Sequence, residues 1–149
     1  MKQGPSQGPP QIPPTPEPKE LSEEEKKLLN LSKTVKGSPD ITKYIYFKSK
    51  RIGRVIVRSS GEYNLDSVDY VEIKPEYRGR GIGKEVYRRL NKELNQQGKV
   101  LKSNPGGVIS PEAKLVWESL VRSGEAEVVE NAYIKEHGLP IRFKFKDLK

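Results

Sequence analysis

The chain contains no cysteine. That absence removes disulfides, zinc–thiolate sites and a cysteine nucleophile together, and it fits a cytoplasmic protein. Histidine is almost absent too: His137 stands alone beside Gly138-Leu139-Pro140 and reads as a loop residue. With no His, Asp and Glu grouping at ligand spacing, no metal is expected. No apolar run approaches the roughly 18 residues that a membrane-spanning helix needs. The first residues lack the apolar segment of a secretory signal, so no membrane partner is expected. Aromatic residues are sparse, at 7%, and none interleaves with basic residues in a recognisable base-stacking motif.

What the chain does have is positive charge, proline at one end and glycine at one turn. Its 149 residues allow one domain with one core, and hydrophobic and charged residues are balanced at 33% and 32%. The formal net charge is +8, which suits a polyanion or a phosphate-rich ligand. Position narrows the choice. Residues 74–102 hold nine Lys/Arg against three Glu, so much of the excess surrounds one glycine-rich turn.

Residues 1–20 carry seven of the twelve prolines among Gln, Gly and Ser. Such a segment has little to bury and is expected to be a disordered, partly polyproline II tail. It serves as a linker or as a ligand for a proline-reading protein partner. Residues 21–38 read as a short amphipathic helix and linker. The helix covers 21–33, with Ser22 and Glu25 forming a capping box and Leu21, Leu28, Leu29 and Leu31 making its apolar stripe. From residue 39 to 149 the pattern is that of a domain. A hairpin is expected at 42–48 and 52–58, with Ser49-Lys50-Arg51 between its strands, and a third strand at 67–74. Strict alternation puts Val68, Tyr70 and Glu72 on one face of that strand and Asp69, Val71 and Ile73 on the other. A helix follows at 81–97 with Ile82, Val86, Leu90 and Leu94 in register. A short strand starts at Val100. A second helix starts at Pro111, capped by Ser110, with Ala113, Val116, Trp117, Leu120 and Val121 inward. Strands at 126–129 and 141–145 end the order β-β-β-α-β-α-β-β, an α+β or mixed α/β layer design.

The stretch Arg78-Gly79-Arg80-Gly81-Ile82-Gly83 lies between a strand, closed by Pro75, and a helix. Glycines permit unusual backbone angles and close approach of a ligand. The first amides of a helix have no internal partner, and the dipole favours an anion there. Arg78, Arg80 and Lys84 add charge, so a pyrophosphate is the natural guest. Two other phosphate motifs fail. A Walker A loop needs glycine where Arg78 stands and Ser or Thr where Glu85 stands. A dinucleotide fingerprint needs G-x-G-x-x-G, whereas the spacing here is G-x-G-x-G.

The run does match Arg/Gln-x-x-Gly-x-Gly/Ala through Arg78, Gly81 and Gly83. With its flanks, "VEIKPEYRGRGIGKEVYRRL" resembles the acetyl-coenzyme A signature of the GNAT (GCN5-related N-acetyltransferase) superfamily. The resemblance covers roughly residues 41–130 and implies a twisted, mostly antiparallel sheet flanked by helices. It implies that acetyl-CoA is the co-substrate and that backbone amides of Arg80 to Lys84 cradle its pyrophosphate. The Ile73 amide would hold the acyl carbonyl, and the pantetheine arm would lie near Ile73 and Leu101. Arg78, Gly79, Arg80, Gly81, Ile82, Gly83, Lys84 and Ile73 are therefore the expected coenzyme-binding residues.

For the chemistry, Asp69 is a candidate general base, where relatives often carry an acid, or else a paired strand carboxylate. On the second helix, Ser110 stands where many relatives have Asn, and Trp117 where they have the Tyr that protonates the leaving thiolate. An indole donates a hydrogen bond but is no proton source at neutral pH, so Trp117 reads as core and Tyr133 becomes the candidate acid. The leading expectation is an N-acetyltransferase acting on an amine-bearing small molecule or protein acceptor. The alternatives are a catalytically weak or inactive binding or structural module of the same fold, and a basic nucleic-acid-binding protein.

Overall fold

The computed structural model describes residues 20–34, 41–59, 65–103, 110–129, 136 and 142–146. Of the tail expected over residues 1–20, all but Glu20 lie outside the described residues, as do His137 and Tyr133. The order is α1 (Glu23–Leu28), β1 (Leu29–Leu31), β2 (Ile41–Phe47), β3 (Lys50–Ser59), β4 (Leu65–Ile73), α2 (Ile82–Asn95), β5 (Val100–Ser103), α3 (Pro111–Arg122), β6 (Ala126–Val129) and β7 (Arg142–Phe145), with a 3-10 turn at Pro75–Tyr77 before α2. Seven strands form one sheet in the order β1-β2-β3-β4-β5-β7-β6. Each neighbouring pair is antiparallel except β4 with β5, the pair that α2 connects. This is the α+β arrangement expected from the sequence.

The helix expected over 21–33 is shorter. Its capping box forms, with Ser22 accepting from the Glu25 amide and Glu25 accepting from the Ser22 amide. The chain leaves the helix at Leu29, and Leu29 and Leu31 pair as a strand with Phe47 and Ile45. Two leucines separated by one residue bury better on a sheet edge than on a six-residue helix. Leu28, just before the change, remains exposed. The hairpin turn is also tighter than expected: Lys48 and Ser49 alone make it, both in the left-handed region.

Two bulges set the faces of the sheet. Ile45 opposes Gly53 while Tyr46 opposes Arg51, which leaves Ile52 as the extra residue. Ile56 opposes Tyr70 while Val57 opposes Val68, which leaves Asp69 as the extra residue on β4. Val68 therefore shares the core-facing side with Val71 and Ile73. It does not share the Tyr70 and Glu72 side, as strict alternation had required.

The core joins Ile45, Val55, Val57 and Val68 of the sheet to Ile82, Val86, Leu90 and Leu94 of α2 and to Trp117 and Leu120 of α3. The four α2 residues are the expected stripe. Trp117 is 1% exposed and packs against Tyr87, Phe143 and Phe145 at ring separations of 5.2–6.1 Å. The opposite face of β2–β4 carries Tyr44, Arg54, Tyr70 and Glu72, all at least partly exposed. Among the described residues, no helix is long and apolar enough to cross a membrane.

Candidate functional site

The site begins where β4 outruns its parallel neighbour. The β4–β5 ladder runs from Leu65–Val100 to Val68–Ser103, and β4 continues to Ile73 beyond it. Successive amides of a strand point to opposite edges. Lys74 donates to the Ile52 carbonyl on the β3 side at 2.8 Å, so the Ile73 N–H points to the other, open edge. Arg78 reaches back to the same edge, where its Nε donates to the Ile73 carbonyl at 2.9 Å. The guanidinium thus ties the glycine-rich turn to the strand end and satisfies the carbonyl, leaving the neighbouring amide directed at the opening.

The turn itself has the geometry of an anion cradle. Gly79 and Gly81 have φ of 76° and 93°, in the left-handed region that favours glycine. Gly81 is the N-cap of α2 and offers no side-chain cap, so the amides of Ile82, Gly83 and Lys84 are not satisfied within the helix. Gly83 serves a different purpose. A Cβ on it would lie 3.1 Å from Val116 Cγ2 and 3.8 Å from Ile73 Cδ1. Its bareness lets α2, α3 and β4 converge.

These parts enclose a cleft of about 290 Å³. Of the expected coenzyme-binding residues, Ile73, Arg78, Gly79, Gly81, Ile82, Gly83 and Lys84 line it. Arg80 stands outside the lining, exposed and over the Tyr77 ring at 5.5 Å. Leu101 sits in the closed part of the ladder opposite Asp66 and does not line the cleft. Asp69 is the bulge residue of β4; its side chain and Tyr133 lie outside what is described. Because the bulge interrupts the alternation, spacing alone does not carry Asp69 onto the Ile73 face. Ser110 accepts from the Ala113 amide at 3.2 Å and caps α3 beside the cleft.

Two features had no signal that sequence reasoning used. Lys84 turns away from the cradle: its ammonium is 2.8 Å from Glu20, whose carboxylate also accepts two bonds from Arg88 at 2.9 Å. Those Arg88 bonds, above all, hold Glu20 down at about 2. Arg88 in turn pairs with Glu125 and holds its carboxyl below the ordinary range. The Lys84 charge is therefore already engaged by Glu20, and its contribution to the start of α2 is its backbone amide. The second feature is Tyr87, one turn after Gly83 and part of the cleft lining. Its ring is fully buried, its hydroxyl has no hydrogen-bond partner, and burial pushes its acidity far down.

The architecture has solved counterparts. It matches a candidate streptothricin acetyltransferase of Bacillus anthracis str. Ames, in complex with acetyl coenzyme A, at TM-score 0.52 and 8% identity over 77% of this chain and 66% of that one. It matches the ribosomal-protein-S18-alanine N-acetyltransferase of Escherichia coli at 0.51 and 16% over 76% and 74%. The PaiA N-acetyltransferase of Thermoplasma acidophilum, in complex with coenzyme A, matches at 0.50 and 17% over 72% and 61%. The chain has the GNAT fold. It spans less than two thirds of the first and the last of these proteins, 66% and 61%. No protein-family model and no curated protein matches it. Within the GNAT fold, the parallel β4–β5 pair, the glycine turn and α2 form one continuous unit, and the cleft opens along it.

Proposed function

We propose that this chain binds acetyl-coenzyme A in the β4–α2–α3 cleft and transfers the acetyl group to an amine acceptor. One observation carries the reading. The unsatisfied first amides of α2, presented by two left-handed glycines, open onto the same cleft as the free edge of β4 at Ile73. The donor set fits the group. The amides suit a pyrophosphate, and the largely apolar walls of Ile73, Ile82, Val116 and Tyr87 suit a pantetheine arm.

The coenzyme supplies an activated acyl carbonyl. The chain's own residues supply position and polarity. The amides of Arg80 to Lys84 hold the anion, and Arg78 fixes the turn against β4. The Ile73 amide donates to the acyl oxygen, where a preorganised donor stabilises developing negative charge. Asp69 is the candidate base that takes the amine proton, and Tyr133 the candidate acid for the leaving group. Trp117 occupies the position of the usual acid but is buried in the core, which favours the second reading, a module that binds the coenzyme with little or no transfer.

Calorimetric titration with acetyl-CoA tests the proposal. Saturable binding that disappears in Gly81→Glu is expected. No binding at millimolar ligand would sink it. Binding without acetylation of any amine in a broad panel would select the binding module.

A further inference from the structure

The far side of Ile73 holds a second opening, on the face of β2–β4 away from the core. It is a groove of about 580 Å³ lined by Tyr44, Arg51, Arg54, Glu72, Lys74 and Arg78, among others. It shares Glu72, Ile73 and Arg78 with the cleft. The two openings therefore meet at the end of β4, where the proposed acyl group would be presented.

The groove is built as a charged, aromatic surface. Tyr44, Arg54 and Glu72 lie directly opposite one another across three strands, and such partners sit about 5 Å apart. Arg51 lies over the Tyr44 ring at 4.1 Å and Arg54 over the Tyr70 ring at 5.3 Å. The Tyr70 hydroxyl donates to Glu72 Oε2 at 3.0 Å. Two guanidinium groups thus lie over aromatic rings, and one carboxylate on the same face is held by a tyrosine hydroxyl. Arg78 already has Glu112, at 3.6 Å. Among the described residues, Arg51, Arg54 and Lys74 form no salt bridge, and Glu72 is the cross-strand neighbour of Arg54.

We infer that this groove takes an acceptor that carries an anionic group, carboxylate or phosphate, close to its amine. Arg51 and Arg54 clamp the anion, since a guanidinium fork matches both oxyanions. Glu72 receives the ammonium and sets it beside Ile73. A polycationic amine meets three cations, Arg51, Arg54 and Lys74, against the single carboxylate of Glu72 and is disfavoured. The inference rests on the proposed acyl-transfer reading for why the groove adjoins the cleft, but the groove's charge preference stands on its own residues.

Binding separates the two. Glutamate, phosphoethanolamine, glutamine amide and spermidine are titrated, by calorimetry or ligand-observed NMR, into the full chain saturated with coenzyme A and into the chain alone. Glutamate or phosphoethanolamine should bind at least about tenfold tighter than glutamine amide or spermidine, and whichever of the two is tighter identifies the anion. The double variant Arg51→Gln/Arg54→Gln should erase the preference and leave coenzyme A affinity unchanged. The Lys74→Gln variant, which changes only an exposed side chain just past the end of β4, guards against misfolding and should weaken the preference in part. Equal or tighter binding of spermidine, or a preference that survives the double variant, overturns the inference. If the preference is present but coenzyme A does not bind, the acyl-transfer reading fails and the groove assignment stands.

Discussion

Gly53→Ala should damage both the fold and the site, and its effect can be worked from one close contact. A Cβ on Gly53 would lie 2.0 Å from the Glu72 carbonyl oxygen, 3.0 Å from its carbon and 3.1 Å from the Ile73 Cα. All three are backbone atoms, so no side chain can swing aside. A carbon approaches a carbonyl oxygen to about 3.3 Å, so β3 and β4 must part by roughly 1.3 Å at this pair. The Lys74 amide bond to Ile52, 2.8 Å long, would then stretch to about 4 Å and be lost. Overpacking of about 2 kcal/mol and a lost bond of about 1 kcal/mol make roughly 3 kcal/mol, or about 10 °C in melting temperature. Urea and thermal unfolding measure this loss. Because Ile73 lies between cleft and groove, coenzyme A affinity should also fall at least about tenfold. Leu94→Ala, a cavity at the far end of α2, should cost a similar 2–5 kcal/mol while leaving that affinity intact. A Gly53→Ala protein within 0.5 kcal/mol of the parent, with unchanged affinity, would refute the argument from close approach.

Tyr87→Phe should stabilise the chain by about 1 kcal/mol, because it removes a buried hydroxyl that has no partner; a loss of stability in thermal unfolding would mean that the hydroxyl is bonded. Acid sensitivity should come from the Glu20 and Glu125 pairs with Arg88. Both carboxyls titrate below their unfolded range, Glu20 at about 2 against 4.5. Their contribution is full above pH 4.5 and is lost as pH falls through about 2. Glu20→Gln/Glu125→Gln should therefore flatten the stability profile between those limits, as followed by circular dichroism, and an unchanged acid limb would refute it.

The parts legible in the sequence were those encoded by neighbours in the chain. The capping box at Ser22 and Glu25, the Ser110 cap and the α2 stripe are contacts three or four residues apart, and all are present. The glycine turn and the start of α2 were legible for the same reason, since they are contiguous. What escaped depends on distant partners. Leu29 and Leu31 become a strand only because β2 offers them an edge. Lys48 and Ser49 carry no glycine or asparagine to announce a left-handed turn. Lys84 faces Glu20, 64 positions earlier in the chain, and no local pattern points to that pairing. Gly53 reads as an ordinary strand glycine until Glu72 is set against it.

The extra residue at Asp69 acts as a parity switch. A strand assigns odd and even positions to opposite faces, and one inserted residue exchanges that assignment for everything downstream. Before Asp69 the chain is registered to the β5 ladder; after it, to the cleft and the groove. Deleting this one position would leave an ordinary alternating strand, with Val68, Val71 and Ile73 still on the core side and Tyr70 and Glu72 still on the groove side. Sidedness here is therefore fixed by the pairing with β3 and not by the residue count, and the bulge is where the two are reconciled.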